Sequence, residues 1–163
     1  MSGQIIGMAS SDVKNEYAFV NVRKWVEKEG TSIDDQMMFQ PPDIHNDIEV
    51  RRIDLKTMSI EKEDIVLKGH KGYTSSEGAF YLYLDVSKDF VGSGSEDCHG
   101  YIWDKFYGAI LAKLEHQKCV NAVVFDPSDQ ETCITASDDL SLKVWISKRR
   151  SRTLEKVNSG CET

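Results

Sequence analysis

SGSEDCHGYIWD, residues 93–104, decides the fold: the end of one strand, a tight turn at Asp97, and a second strand closing on Trp103-Asp104. Working upstream, Gly69-His70 stands 32 residues before that Trp-Asp pair. Working downstream, the same text recurs. Ser95, Asp97 and Trp103 return 42 positions later as Ser137, Asp139 and Trp145, while Ser93 and Ile102 return as Thr135 and Val144. Three identities and two close substitutions in one eleven-residue window mark an internal repeat.

Gly-His followed about thirty residues later by Trp-Asp is the signature of a WD repeat. Such a repeat takes roughly 40–45 residues, and a propeller needs roughly 4–8 blades to close. A chain of 163 residues therefore holds about three blades. The fold class expected is all-β: a partial WD40 β-propeller of about three four-stranded antiparallel blades, with its ring not closed.

Taken in order, residues 1–150 form the partial propeller. A first blade of about 4–66 carries strands at QIIGMAS and at 17–22, a loop insertion at 23–46, and a strand at 47–55. The insertion contains Pro41-Pro42 and shows neither strand nor helix periodicity. Ile53-Asp54 occupies the Trp-Asp position, and 64–70 is the outer strand leading into the next repeat. A second blade spans about 79–115 and a third about 119–147. Residues 148–163 read as a basic, polar tail in which only 153–157 offers a weak outer strand. Three blades in a row leave apolar faces open at both ends, and Val123, Phe125 and Val144 are candidates for exposure on the last.

The polar residues of the repeat pin the geometry within each blade. An indole N–H only donates, a hydroxyl does both, and a neutral imidazole donates from one nitrogen and accepts at the other. A chain from Trp through Ser or Thr to His and Asp leaves every group with a partner. The sets expected are His70, Ser93, Asp97 and Trp103, then His116, Thr135, Asp139 and Trp145, with Ser95 an alternative to Ser93. Ser, His and Asp also make a hydrolase triad. Their duplication, each time with a Trp, and the lack of a GxSxG elbow favour a structural role, so no catalytic residue is expected.

Metal and cofactor sites fare no better. His116 and Cys119 are three apart and Cys98-His99 are adjacent, but no CxxC or HxxxH completes a ligand set. GSGSED follows a strand without the Lys-Ser/Thr of a phosphate loop. The reading is no metal, no cofactor and no small-molecule substrate. Net charge is −7, from 20 Lys and Arg against 27 Asp and Glu, which argues against nucleic acid. No apolar run approaches a membrane span, and Asp12, Lys14 and Glu16 interrupt any signal peptide. Four cysteines without paired short spacing fit a reducing compartment, so a cytoplasmic setting is expected.

Beyond the generic repeat, residues 82–104, 51–58 and 120–145 resemble the C-terminal WD repeats of the F-box/WD repeat-containing family. The order IIGMASSD, YAFVNVR, a Pro-Pro loop and IEVRRIDLKTM is similar to the same region, so the resemblance covers about residues 4–150. It implies a protein-interaction module: the substrate-binding propeller of a receptor in an SCF-type cullin-RING ubiquitin ligase, presenting protein targets. In that family the F-box docks on the Skp1 adaptor. No F-box helices precede these blades, so contact with a cullin-RING adaptor is expected only through the parent protein. The Trp-Asp-x-Arg box used on the cullin-4 adaptor is incomplete, since Lys105 and Phe106 follow Asp104, and Ile146, Ser147 and Lys148 follow Trp145. A general WD-repeat scaffold unrelated to ubiquitin is the alternative.

Overall fold

The computed structural model describes residues 3–10, 16–26, 43–57, 65–75, 78 and 81–159. Among these residues eleven strands form three antiparallel sheets, each built from strands consecutive in sequence. The first holds β1 (Gly3–Ser10), β2 (Tyr17–Trp25), β3 (Ile44–Asp54) and β4 (Leu67–Lys71) in that order. The second holds β5 (Leu84–Val86), β6 (Phe90–Ser93), β7 (His99–Asp104) and β8 (Ile110–Glu115). The third has β9 (Val120–Phe125), β10 (Thr132–Ser137) and β11 (Leu142–Ile146). These are three blades of a WD40 propeller, and they do not close a ring.

The first strands of the sheets touch one another. Leu82 N–H donates to the Ile6 carbonyl at 3.0 Å, and Tyr83 N–H donates to the Asn121 carbonyl at 2.8 Å. Two glycines permit this approach. A Cβ on Gly7 would collide with the Leu82 carbonyl, and one on Gly94 with the Val120 carbonyl. A neighbouring blade could not come this close to a bulkier residue.

Apolar residues on alternate strand positions then meet between blades. Phe19, Val50 and Leu67 of the first sheet pack against Val91, Tyr101 and Trp103 of the second. Leu114 of the second packs with Val120, Val123, Phe125 and Cys133 of the third. Arg23 adds a polar pin. Its buried guanidinium donates to the carbonyls of His45, Thr74 and Gly72 at 3.0, 2.6 and 2.9 Å. Glu96 of the second sheet grips the same connection, accepting from Thr74 N–H at 2.8 Å and from Tyr73 N–H.

Four expectations change. The insertion is shorter than 23–46: β2 runs through Trp25, which pairs with Ile44, and Val26 N–H still donates to the Asp43 carbonyl. The ladder continues because a bulge between Arg23 and Trp25 absorbs the irregular sequence. Residues 27–42 of the insertion lie outside the described residues. The first sheet also runs to Lys71 rather than ending near 66, since β4 pairs along β3 from Val50↔Leu67 to Asp47↔Lys71.

The tail is not unstructured, and 153–157 is no strand. Lys148–Ser159 is helix α1. Ser147 caps it: its Oγ accepts from Arg150 N–H at 2.9 Å, and its carbonyl from Ser151 N–H. Arg, Leu, Glu and Lys then supply good helix propensity. Finally, Val123 and Phe125 are buried against the second sheet. The exposed row on the last blade is Val124, Ile134 and Val144, with Ile134 the cross-strand partner of the other two.

Candidate functional site

The polar set of the third blade comes together as one line. Trp145 Nε1 donates to Thr135 Oγ1 at 2.8 Å. Thr135 Oγ1 lies 2.7 Å from His116 Nε2, and His116 Nδ1 lies 2.9 Å from Asp139 Oδ2. A carboxylate only accepts, so Nδ1 carries the imidazole proton and Nε2 accepts from the threonine. Every donor in the line is used once. Asp139 also accepts from Ser141 Oγ at 2.5 Å and from Gln117 N–H at 3.0 Å. The Ser141 hydroxyl first, then the Gln117 amide and His116, hold its carboxyl far below the usual carboxylate range.

The equivalent set of the second blade is not assembled that way. Trp103 Nε1 donates to the Lys68 carbonyl at 3.0 Å. His70 Nε2 lies 2.9 Å from Asn21 Oδ1, and the Asn21 amide donates to Ser93 Oγ at 2.8 Å and to the Leu82 carbonyl at 3.1 Å. Asp97 accepts instead from the Tyr101 hydroxyl at 2.6 Å. Ser95, the alternative to Ser93, accepts from Lys71 N–H at 2.8 Å.

The difference traces to one position. Tyr101 and Lys143 are equivalent in the repeat. The tyrosine ring stacks on Trp103 and its hydroxyl takes the carboxylate, so His70 turns to the first sheet. Lys143 donates to the Glu115 carbonyl and leaves Asp139 to His116. Asn21 is the residue that spacing within the repeat could not find. Its signal was an amide inside the apolar run YAFVNV, buried without a repeat partner.

Thr135, His116 and Asp139 match the order of a nucleophilic triad, but no substrate reaches them. Thr135 and the His116 side chain are buried, and the Thr135 oxygen already receives the indole proton. Cys119 and Cys133 are equally quiet. Burial, with Asp138 nearby, pushes Cys119 up to about 12, and burial pushes Cys133 up to about 11. Both stay protonated, the form that neither attacks nor ligates. Among the described residues no group of three or more His, Cys, Asp and Glu is placed to hold a metal. No helix among them is long and apolar enough to cross a membrane.

What the arrangement offers outward is surface. Phe106 and Tyr107 stand exposed on the turn between β7 and β8, which Asp104 Oδ1 fixes by accepting from both their amides at 2.8 and 2.7 Å. Tyr81 and Tyr83 are exposed on either side of buried Leu82, beside the inner strands. Rigid exposed aromatics are typical anchors of protein interfaces.

Sheet order, internal repeat and motif residues define the class: blades of the WD40 propeller type. Within it, the chain is 46% identical over 153 residues to human F-box/WD repeat-containing protein 5, covering 94% of this chain and 26% of that protein. The rat and mouse proteins of the same name are each 47% identical over the same length. The chain thus spans about a quarter of the length of these curated relatives. GID complex subunit 7 of Schizosaccharomyces pombe is 42% identical over 64 residues, 39% of this chain. No protein-family model matches. Among solved structures, the computationally designed Ika4 protein aligns over 90% of this chain and 92% of its own with a TM-score of 0.45 and 18% identity.

Proposed function

We propose that these blades are the target-presenting part of a receptor in an SCF-type cullin-RING ubiquitin ligase, acting in the cytoplasm without chemistry of their own. The observation that carries this reading is the 46% identity that runs through 94% of the chain to F-box/WD repeat-containing protein 5. The sealed Thr135–His116–Asp139 line supports a structural role for the polar sets, and the exposed aromatics support contact with proteins. A cullin-RING adaptor is then met through the rest of the parent protein.

A decoy experiment separates this from a scaffold unrelated to ubiquitin. The chain is expressed in cells as a fusion to a proximity-labelling biotin ligase, and protein turnover is followed by pulse–chase. A fragment that binds targets without delivering them competes with the intact receptor, so labelled proteins should gain half-life. Labelling with unchanged turnover would favour the general scaffold.

A further inference from the structure

The connection between β9 and β10, Asp126-Pro127-Ser128-Asp129-Gln130-Glu131, carries a hydroxyl that the fold does not use. Ser137, Ser141 and Ser147 spend theirs on the Lys118 carbonyl, Asp139 and Glu131. Ser128 gives only its amide, to Asp126 Oδ1 at 2.7 Å, and its hydroxyl meets no partner among the described residues. The turn itself is well held. Asp126 N–H donates to the Thr132 carbonyl, and Thr132 N–H to the Asp129 carbonyl, each at 2.9 Å. Ser128 stands exposed on it. Exposed turns are where modifying enzymes reach a chain most easily.

Two carboxylates follow that hydroxyl, Asp129 directly and Glu131 three residues on. A protein kinase whose substrate groove is lined with Lys and Arg reads such acids through charge-assisted hydrogen bonds. Both acids already have partners. Asp129 pairs with Arg150 at 2.8 Å, while Glu131 accepts from Ser147 Oγ at 2.6 Å and pairs with Arg149. The Arg149 side chain is almost wholly exposed, so its pair is weak and opens readily. On its other side Ser128 lines a cavity of about 530 Å³ where the end of β5 meets the end of β9. Lys88, Asp85 and Asp126 share that lining. Asp85 is spent on the Phe125 amide at 2.8 Å, and Asp126 on the Ser128 amide. The Lys88 ammonium has no ionic partner among the described residues.

We infer that Ser128 is a phosphorylation site for an acidic-directed serine kinase, and that its phosphoryl group pairs with Lys88 across the seam between the second and third blades. The Ser128 oxygen attacks the γ-phosphorus of the kinase's ATP, the bond to ADP breaks, and the hydroxyl proton passes to a carboxylate of the kinase. The product carries a charge of about −1.5 to −2 at neutral pH. Asp126 and Asp85 repel that charge, and the unpaired ammonium of Lys88 draws it. The site adds a means of control to these blades and does not depend on the ubiquitin reading.

The 163-residue chain is incubated with casein kinase II and ATP, and phosphate is located by fragment mass spectrometry. Ser128 should be modified. Glu131→Gln keeps an oxygen for Ser147 but removes the charge three residues on, and should slow modification about tenfold. Arg149→Ala loosens the hold on the same carboxylate and should speed it by up to about fivefold. Hydrogen exchange then reads the bridge. Ser87 N–H donates to the Phe90 carbonyl at 2.9 Å, in the turn that carries Lys88. Exchange of that amide should slow about threefold or more on phosphorylation, a gain that Lys88→Gln removes. No phosphate on Ser128 of the folded chain would overturn the site, and a peptide of residues 124–133 that accepts it would trace the failure to the fold. A rate indifferent to Glu131 and Arg149 would show that the acids are not read, and would overturn it equally. Unchanged or faster exchange at Ser87 in the modified chain would refute the pairing with Lys88.

Discussion

Thr135 Oγ1 accepts from Trp145 Nε1–H and donates to His116 Nε2, so a single hydroxyl satisfies one buried donor and one buried acceptor. Thr135→Val keeps the shape, removes the oxygen, and orphans Trp145 Nε1 and His116 Nε2 together. A buried group left without its partner costs about 1–3 kcal/mol, and urea denaturation should show a loss in that range. Thr135→Ser should recover most of it. His70 makes a different statement. It is fully buried among Asn21, Tyr101 and Trp103, with Asp97 the nearby charge. Burial pushes its imidazole down to about 3 despite Asp97. The unfolded chain titrates this histidine near 6.5, so between about 6.5 and 3 the unfolded state binds the proton and the native state does not. Stability should therefore fall as pH drops below about 6.5, by at most about 1.4 kcal/mol per unit. Denaturation at several pH values down to about 4.5 reads this slope, and His70→Asn should flatten it. Asp139, whose carboxyl is depressed, adds its own loss only on acidification below the ordinary carboxylate range.

Strands were legible wherever one face met a neighbour and the other did not. YLYLDV and TCITAS alternate, and they fold as β5 with its lead-in and as β10. Parity was harder to read at β9. A register shift between Ala136 and Ser137 on its partner changes which residues of VNAVVF face inward, so Val123 and Phe125 are covered while Val124 is not. Asn21 was illegible for a related reason: it acts between repeats, where a 42-residue spacing carries no information. Tyr101 acts within its own blade, and the repeat lines it up with Lys143 without saying which partner its hydroxyl takes. The helix was missed because KRRSRTLEKV has the charge of a solvated tail, and its start depends on one serine. Ser147 Oγ receives Arg150 N–H and donates to Glu131 Oε2 at 2.6 Å, while Arg149 and Arg150 pair with Glu131 and Asp129. Ser147→Ala should cost about 1 kcal/mol of helix stability. Hydrogen exchange should then quicken through residues 150–156 while β10 stays protected. Uniform exchange across both segments would refute the local cap.

At the scale of the whole molecule the two outer faces are unequal, although both were expected to expose apolar residues. On the first sheet Ala18, Val20 and Val22 share the face away from the second blade, and each is at most 5% exposed. An ionic lid explains part of this. Val20 and Val22 sit across from Arg51 and Glu49, and Glu49 gathers Lys24, Arg51 and Lys68. Burial would push that carboxyl up, but hydrogen bonds from Arg51 and Lys24 outweigh it and hold it below its usual range. The long aliphatic stems of such cations cover apolar surface while their heads stay wet. Among the described residues no such lid covers Val124, Ile134 and Val144 of the third sheet, which are 52%, 45% and 67% exposed, with Leu142 beside them at 74%. A contiguous apolar row of this kind drives association. Ile134→Thr with Val144→Thr should raise the monomer fraction in sedimentation velocity. Because both side chains already meet water, urea stability should stay within about 0.5 kcal/mol per site. Val123→Thr is the control on the opposite face of the same strand system. There the hydroxyl enters the fully covered interface with the second blade, and the loss should be about 1–3 kcal/mol with no change in association. Equal stability losses at all three positions would show that the exposed row is packed in solution, and the asymmetry of the two faces would have to be abandoned.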